Sequence, residues 1–512
     1  LDFAFAALLA AFLAVSLFAV CVDVSDAVDP AESIWFNSFN FVLNASNCVS
    51  KLLRLLIIPS FFASFSFSWV PSPLDVSFVW PNRFLRPADN VPVPSFKSLL
   101  PLDNFSTPAF NAVNLISSTL YTISGVLGAT AIIINTKLGE KLGQGDEKGL
   151  NYEFFSSLAI NIFMGIIFLL LMLIGKTYFL KIFYNLSGET LKQGILFSYP
   201  MSFCVLLQLC LFTFGAYFRI SNMTKLILIG STVSSVLNLG LDYLFVLGKF
   251  GFPKLGITMV GFSTVFSMFV NLLIYIFVLK NKLNLKFELL KSYFINGINH
   301  FKLAFPIMIQ EIFDGTIFVI IFNMIVIRIG NNEFAGYSII TNLIMFLFTF
   351  KHIYGSATLS LISISSGEKN IRNLIDYPKI SVKITTVLFI FGSALFVIFR
   401  EYLPKLITDD VSVQNIATKF LIFFLIANIC SSYSYIYKCA LQGLNKNMFL
   451  LKTTAGVNII SLILMLILTQ VFDLSLFGVA FTQFVNEFIL SVIFLKYYRY
   501  IVNDKFYNLT KD

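Results

Sequence analysis

Asn238 and Asp242 are the residues whose types and spacing most clearly invite chemistry. They lie four apart in an apolar run, Leu226 to Leu247, long enough to cross a bilayer. A carboxylate inside such a run is costly, and its usual purpose is an ion or substrate path. Ser231 and Ser235 precede the pair at steps of 4, 3 and 4, which places all four side chains in one stripe of a helix. A polar stripe on an apolar helix faces a wet cavity or neighbouring helices, not lipid. The chemistry on offer is reversible cation binding. Burial disfavours a bare carboxylate, and a proton, a sodium ion or a cationic substrate each relieve that cost. The structural alternative is an Asp capping a helix near the membrane surface, since Lys249 and Gly251 soon follow.

The chain that must position these residues has 512 residues, 57% hydrophobic and 12% charged. Soluble proteins carry about twice that share of charge, so this is a polytopic membrane protein. Its net charge of +9 therefore speaks first of membrane orientation and not of nucleic acid. Six cysteines show no C-x-x-C spacing and read as buried free thiols. Two histidines, His300 and His352, leave little from which to build a His-based metal or catalytic site. A membrane enzyme would need a cluster of ligands or a nucleophile–base pair, and neither is visible. Sixty phenylalanines suit lipid contact and a compositional bias better than an aromatic drug pocket, and none is assigned to the site.

From Phe110 onward, apolar segments fall near 110–135, 154–175, 193–217, 226–248, 255–279, 303–327, 334–362, 381–399, 416–440, 448–471 and 475–497. Lys and Arg concentrate in alternate loops and after the last segment, which predicts that those loops and the C-terminus are cytoplasmic. The expected location is a cell membrane, the inner one if the source is a bacterium. Residues 1–108 differ sharply from the rest. They hold ten of the fifteen prolines, all three tryptophans and none of the 27 glycines. The break predicts a separate origin for this Pro-rich segment, such as a fusion or a reading-frame error.

The remainder repeats itself with an offset near 225. Gly128-Ala-Thr-Ala leading to Leu138-Gly-Glu-Lys141 is echoed by Gly355-Ser-Ala-Thr leading to Ser366-Gly-Glu-Lys369. Phe110-Asn-Ala-Val-Asn-Leu-Ile is echoed by Phe334-Ala-Gly-Tyr-Ser-Ile-Ile, and Leu255-Gly256 by Phe477-Gly478. Both copies have the same sidedness, so they are related by an axis along the membrane normal, an arrangement typical of transporters. The expected divisions are 1–108, an N-lobe over 109–290 and a C-lobe over 291–512. By symmetry a helix should precede Phe110, and none is recognisable there.

Three stretches resemble the multidrug and toxic compound extrusion (MATE) family of the MOP flippase superfamily. They are Gly128 to Gly145; Arg219 to Thr264 with its Asn238-x-x-x-Asp242-Tyr-Leu; and Leu406-Ile-Thr-Asp409 with Ala440-Leu-Gln-Gly443. The resemblance implies an all-α fold of twelve helices in two six-helix bundles. It also implies antiport of organic cations or drugs against H+ or Na+. It assigns the N-lobe cation site to Asn238, Asp242 and Thr264, with Ser267 and Asn271 continuing the face of Thr264. Asp314, eight residues after Pro306, falls at the family's seventh-helix acid, with Glu311 one turn away and Gln310 beside it. Ser431 stands where the family has a tenth-helix Asp, a departure that favours the N-lobe as the coupling site. Asn486 occupies the repeat position of Thr264. Asp314, Glu311, Gln310, Ser431 and Asn486 are thus expected at a substrate or second cation site. No cofactor is expected beyond the coupling ion. The expected partners are the bilayer and small amphipathic cations, with the chain a monomer. The alternative within the superfamily is a flippase for lipid-linked saccharides, for which intramembrane Lys351, Lys419 and Lys438 would be the cations.

Overall fold

In lipid a backbone must satisfy its own hydrogen bonds, and a long apolar run does so as a helix. The computed structural model describes residues 107–509, apart from loop positions 183, 247, 249, 250, 252, 254, 255, 281 and 284, and every regular element within them is helical. Readings placed on 1–106, Lys249 and Leu255 lie outside the described residues.

The helices run α1 (Thr107–Gly143), α2 (Glu147–Ile182), α3 (Gly188–Met201), α4 (Cys204–Ile220), α5 (Thr224–Leu241) and α6 (Gly256–Leu279). The second half has α7 (Leu290–Ile312), α8 (Val319–Ile329), α9 (Asn331–Gly367), α10 (Ile371–Ile398), α11 (Val411–Ala427), α12 (Ser431–Gly443), α13 (Asn447–Leu466) and α14 (Ser475–Leu509). Among the described residues, ten spans are long and apolar enough to cross a membrane, and the pair α11–α12, bent by 44°, makes an eleventh. All eleven predicted segments are present. Their ends run further at the Lys-bearing side, as in α1, α9 and α14, because charged turns continue a helix without adding hydropathy.

The repeat is visible in the irregularities. A π-helical turn at Asp242–Val246 ends α5, and one at Ile467–Val471 ends α13, 225 residues on. The break between α3 and α4 is matched by the break between α11 and α12. On the axis relating the halves, Asn135 of α1 donates to Ser360 of α9 at 2.9 Å, again 225 residues apart. One further π turn, Phe313–Phe318, separates α7 from α8.

The halves meet along α1 and α9, where glycine lets the backbones touch. A Cβ on Gly143 would collide with the Ile364 carbonyl oxygen, and one on Gly367 with the Glu140 carbonyl oxygen. A Cβ on Gly139 would lie 2.7 Å from the Ser363 Cβ. Above this seam Ala129, Ile132 and Ile133 of α1 pack with Ala304 and Ile307 of α7, Leu359 of α9 and Cys439 of α12. Outside the spans, Asp410 caps α11. The Ser412 hydroxyl, then the backbone N–H groups of Ser412 and Val413, hold its carboxyl below the usual range, so this cap is intact at neutral pH and is lost in strong acid.

Gly367→Val should overpack the seam and cost about 1–3 kcal/mol. Gly125→Ala, with nothing within 4 Å of its added Cβ, should be neutral or gain up to about 1 kcal/mol. Thermal unfolding in detergent separates them; equal melting points for both variants would contradict a tight seam.

Candidate cation and substrate sites

The first site lies where α5 meets α6. The polar stripe of α5 turns inward, and with α4 and α6 it encloses a cavity of about 100 Å3 lined by Ser231, Ser234, Ser235, Asn238, Thr264, Ser267 and Asn271. Arg219, from the last turn of α4, and Tyr275 line it as well. Asp242, the last residue of the stripe, begins the π turn. Its Oδ1 accepts a short hydrogen bond from the Ser263 hydroxyl. Asn238 Nδ2 reaches Ser263 Oγ at 3.3 Å and Thr264 Oγ1 at 3.4 Å. The direct partner of Asp242 is therefore Ser263, and Thr264 meets Asn238 instead, while donating to the Val260 carbonyl at 2.9 Å.

Ser263 Oγ also lies 3.0 Å from the Val260 carbonyl oxygen. A hydroxyl has one proton to give. With Asp242 ionised, that proton points to the carboxylate. With Asp242 protonated, the acid donates to Ser263, and Ser263 turns its proton to Val260. The same geometry satisfies both states. The oxygens of Asp242, Ser263 and Thr264 are hard donors of the kind that sodium takes. Ser267 and Asn271 are buried further along the same cavity wall.

The second site is its counterpart, with the chemistry rearranged. Asp314 lies in the π turn after α7. It accepts from Asn458 Nδ2 at 2.8 Å and from Gln310 Nε2 at 3.2 Å, and Lys438 Nζ of α12 is 4.0 Å away. Asn486 Nδ2 donates to Asn458 Oδ1 and to Ser461 Oγ, both at 2.9 Å. The link Ser461–Asn486 stands 223 residues after Asn238–Ser263, with amide and hydroxyl exchanged between the helices. Glu311 is buried one turn before Asp314. Ser431 is placed at the α11–α12 break, fully buried, its Oγ without a hydrogen-bond partner among the described residues. Ser434 Oγ contacts Glu487 Oε2 and also lies 3.1 Å from the Ser431 carbonyl oxygen, so its one proton goes to one or the other. Asp314, Gln310 and Asn486 are brought together, and α13 completes their network through Asn458 and Ser461. Lys351 lies over the Phe348 ring, 3.3 Å from its centroid.

Sequence reasoning missed Ser263, Arg219 and Asn458 at these sites. Ser263 adjoins Thr264, and Asn458 with Ser461 forms an i, i+3 polar pair in an apolar run. Arg219, by its sequence neighbours alone, reads as a loop residue.

The MatE family profile matches residues 102–244 and again 306–471, one block in each half. The chain belongs to the MatE family. It is 23% identical over 323 residues to the probable multidrug resistance protein NorM of Thermotoga maritima, covering 62% of this chain and 68% of that one. It is 26% identical over 227 residues to the multidrug resistance protein NorM of Vibrio vulnificus, covering 43% and 50%. The chain thus spans about half the length of several curated relatives it matches. A crystal structure of MATE in the straight conformation superposes with a TM-score of 0.68 at 16% identity, over 79% of this chain and 90% of that one. An outward-facing multidrug resistance MATE family transporter gives 0.66 at 16% identity over the same shares. These structures share the fold of two helical halves.

Asn486→Leu would strand the acceptors of Asn458 and Ser461 and should cost about 1–3 kcal/mol. Thermal unfolding in detergent measures it, and an unchanged melting point would mean that the MatE fold here does not depend on this network.

Proposed function

We propose that this chain is a secondary antiporter that exports small amphipathic cations in exchange for protons or sodium ions. The observation that carries the reading is the Ser263 hydroxyl poised between the Asp242 carboxylate and the Val260 carbonyl. It lets Asp242 take up and release a cation or proton without leaving a polar group unanswered. Asn238 and Thr264 extend the oxygen set, and the cavity beside them offers a polar route to it. The second half has its own cation, Lys438, beside Asp314. That contact supports coupling at Asp242, with Asp314, Glu311, Gln310, Ser431 and Asn486 on the cargo side. The names of the NorM relatives support drug-like cargo.

Exchange follows from competition. A proton or sodium ion at Asp242 and a cationic cargo cannot both be held at full strength, so loading one favours release of the other. Rocking of the two halves about the α1–α9 seam would expose the sites to each side in turn. The Lys- and Arg-rich loops and the C-terminus then face the cytoplasm, and the chain works as a monomer with no cofactor beyond the coupling ion. One observation favours a second reading. Arg219 lines the first cavity, which suits an anionic headgroup and hence a flippase of lipid-linked saccharides.

In proteoliposomes driven separately by a proton and a sodium gradient, ethidium efflux should respond to at least one of them. Asp242→Asn should reduce gradient-driven efflux to the level of protein-free vesicles. Efflux that survives in Asp242→Asn at equal protein content would refute the role of Asp242. No efflux under either gradient would favour the flippase reading.

A further inference from the structure

We propose that the recess between α2 and α7 seats the headgroup of a zwitterionic aminophospholipid, its phosphate on Lys291 and its ammonium on Glu288. The recess is open and of about 400 Å3. Tyr152 lines it from α2; Lys291, Ser292, Asn296 and Asn299 line it from α7, and Glu288 from the short 3-10 turn that leads into α7. Its depth is that of lipid headgroups. The rings of Tyr152 and Tyr293 pair with centroids 5.3 Å apart, and tyrosine is enriched at the membrane–water interface. Phe163, further along the α2 span, stands edge-on to Phe294 of α7 at 5.0 Å. Phe163, Ile295 and Ile298 are exposed, and Ile295 also lines the recess. A polar recess that opens onto an apolar surface suits a ligand with a polar head and an apolar body.

The charges select the head. Glu288 and Lys291 are three residues apart and both exposed. Among the described residues neither is ion-paired, to the other or to any further side chain. Asn296 is already engaged, donating to Glu153 Oε2 at 2.9 Å, and Tyr152 and Ser292 share a hydrogen bond of 2.7 Å. The Asn299 side chain makes no hydrogen bond among the described residues, so its amide is available to a ligand.

One cation and one anion around a single recess have a zwitterion as their complement. A phosphodiester offers its oxygens to the Lys291 ammonium and the Asn299 amide, and a primary ammonium offers its N–H groups to the Glu288 carboxylate. A headgroup with a phosphate and no cation would leave Glu288 facing like charge. A trimethylated ammonium has no N–H to give Glu288. The acyl chains of the bound lipid run over Ile295 and the exposed apolar residues beside it. Such a lipid touches α2 of the first half and α7 of the second, so its binding stabilises the arrangement in which these two helices are packed together.

None of this depends on the cargo or the coupling ion, so a stability measurement tests it without transport. Thermal unfolding of the full chain would be followed in detergent with added dioleoyl phosphatidylethanolamine, phosphatidylcholine or phosphatidylglycerol, and with soluble glycerophosphoethanolamine. The expected result is the largest upward shift in melting point with phosphatidylethanolamine. Lys291→Gln should lose that shift. Glu288→Gln should reduce it to the level of phosphatidylcholine. Lys302→Gln, an exposed lysine of α7 outside the recess, should leave it unchanged. Equal shifts with all three lipids, or a shift with phosphatidylglycerol as large as with phosphatidylethanolamine, would overturn the proposal. So would a phosphatidylethanolamine shift that survives in both Lys291→Gln and Glu288→Gln. Stabilisation by glycerophosphoethanolamine equal to that by the lipid would overturn the assignment to a lipid and point to a soluble phosphate ester.

Discussion

Lipid offers a polar group no partner, so in this molecule most polar side chains within a span are answered by protein, with the Ser431 hydroxyl among the exceptions. That constraint shapes more of the structure than hydrophobicity, which is nearly uniform along the spans. Serines and threonines turn back on their own helices, as Ser156, Ser198, Thr358 and Thr385 do. Those that also reach a partner on another helix stand out against that background. Some of these cross-helix contacts tie helices within one half, as Asn161–Thr213 and Thr358–Ser381 do, and others join the halves, as Asn135–Ser360 does, or build the two candidate sites.

The two halves solve the same problem with different residues. Each ends its equivalent helix in a π turn, and each joins that helix to the next by an amide–hydroxyl link. One half keeps a carboxylate, Asp242, inside the π turn. The other puts Thr469 in its turn and recruits its carboxylate, Asp314, from the π turn after α7, with a lysine at hand. A π turn widens the helix by one residue and frees a carbonyl, which is why such turns recur at functional sites. The frame is common to both halves, and the charge sits in a different place in each.

Much of the fold was legible because membrane spans announce themselves by length and composition, and the repeat appeared as echoes at a constant offset. The polar stripe of α5 was legible for the same reason: four residues at helical spacing can only lie on one face. Partners were not legible. Nothing in the sequence tells Asp242 that it will meet Ser263 and not Thr264, since adjacent residues on α6 differ by about 100° and the rotation of α6 is set by packing. Nor does the sequence pair His300 with Glu153, 147 residues away, although His300 Nε2 lies 2.6 Å from Glu153 Oε2. Lys438 by itself reads as a snorkelling residue, and only the course of α12 brings it to Asp314.

The seam between α1 and α9 constrains motion as well as stability. Where two helices touch through side chains, they can slide by repacking rotamers. Where they touch through glycine backbone, as at Gly143 and Gly367, there are no rotamers to repack. Translation along the seam would drive carbonyl oxygens into Cα atoms, whereas rotation about the contact leaves the spacing unchanged. The crossing therefore acts as a hinge pin. Such a pin resists shear and allows tilt, and any tilt about it would part the far ends of the two halves in proportion to their distance from it.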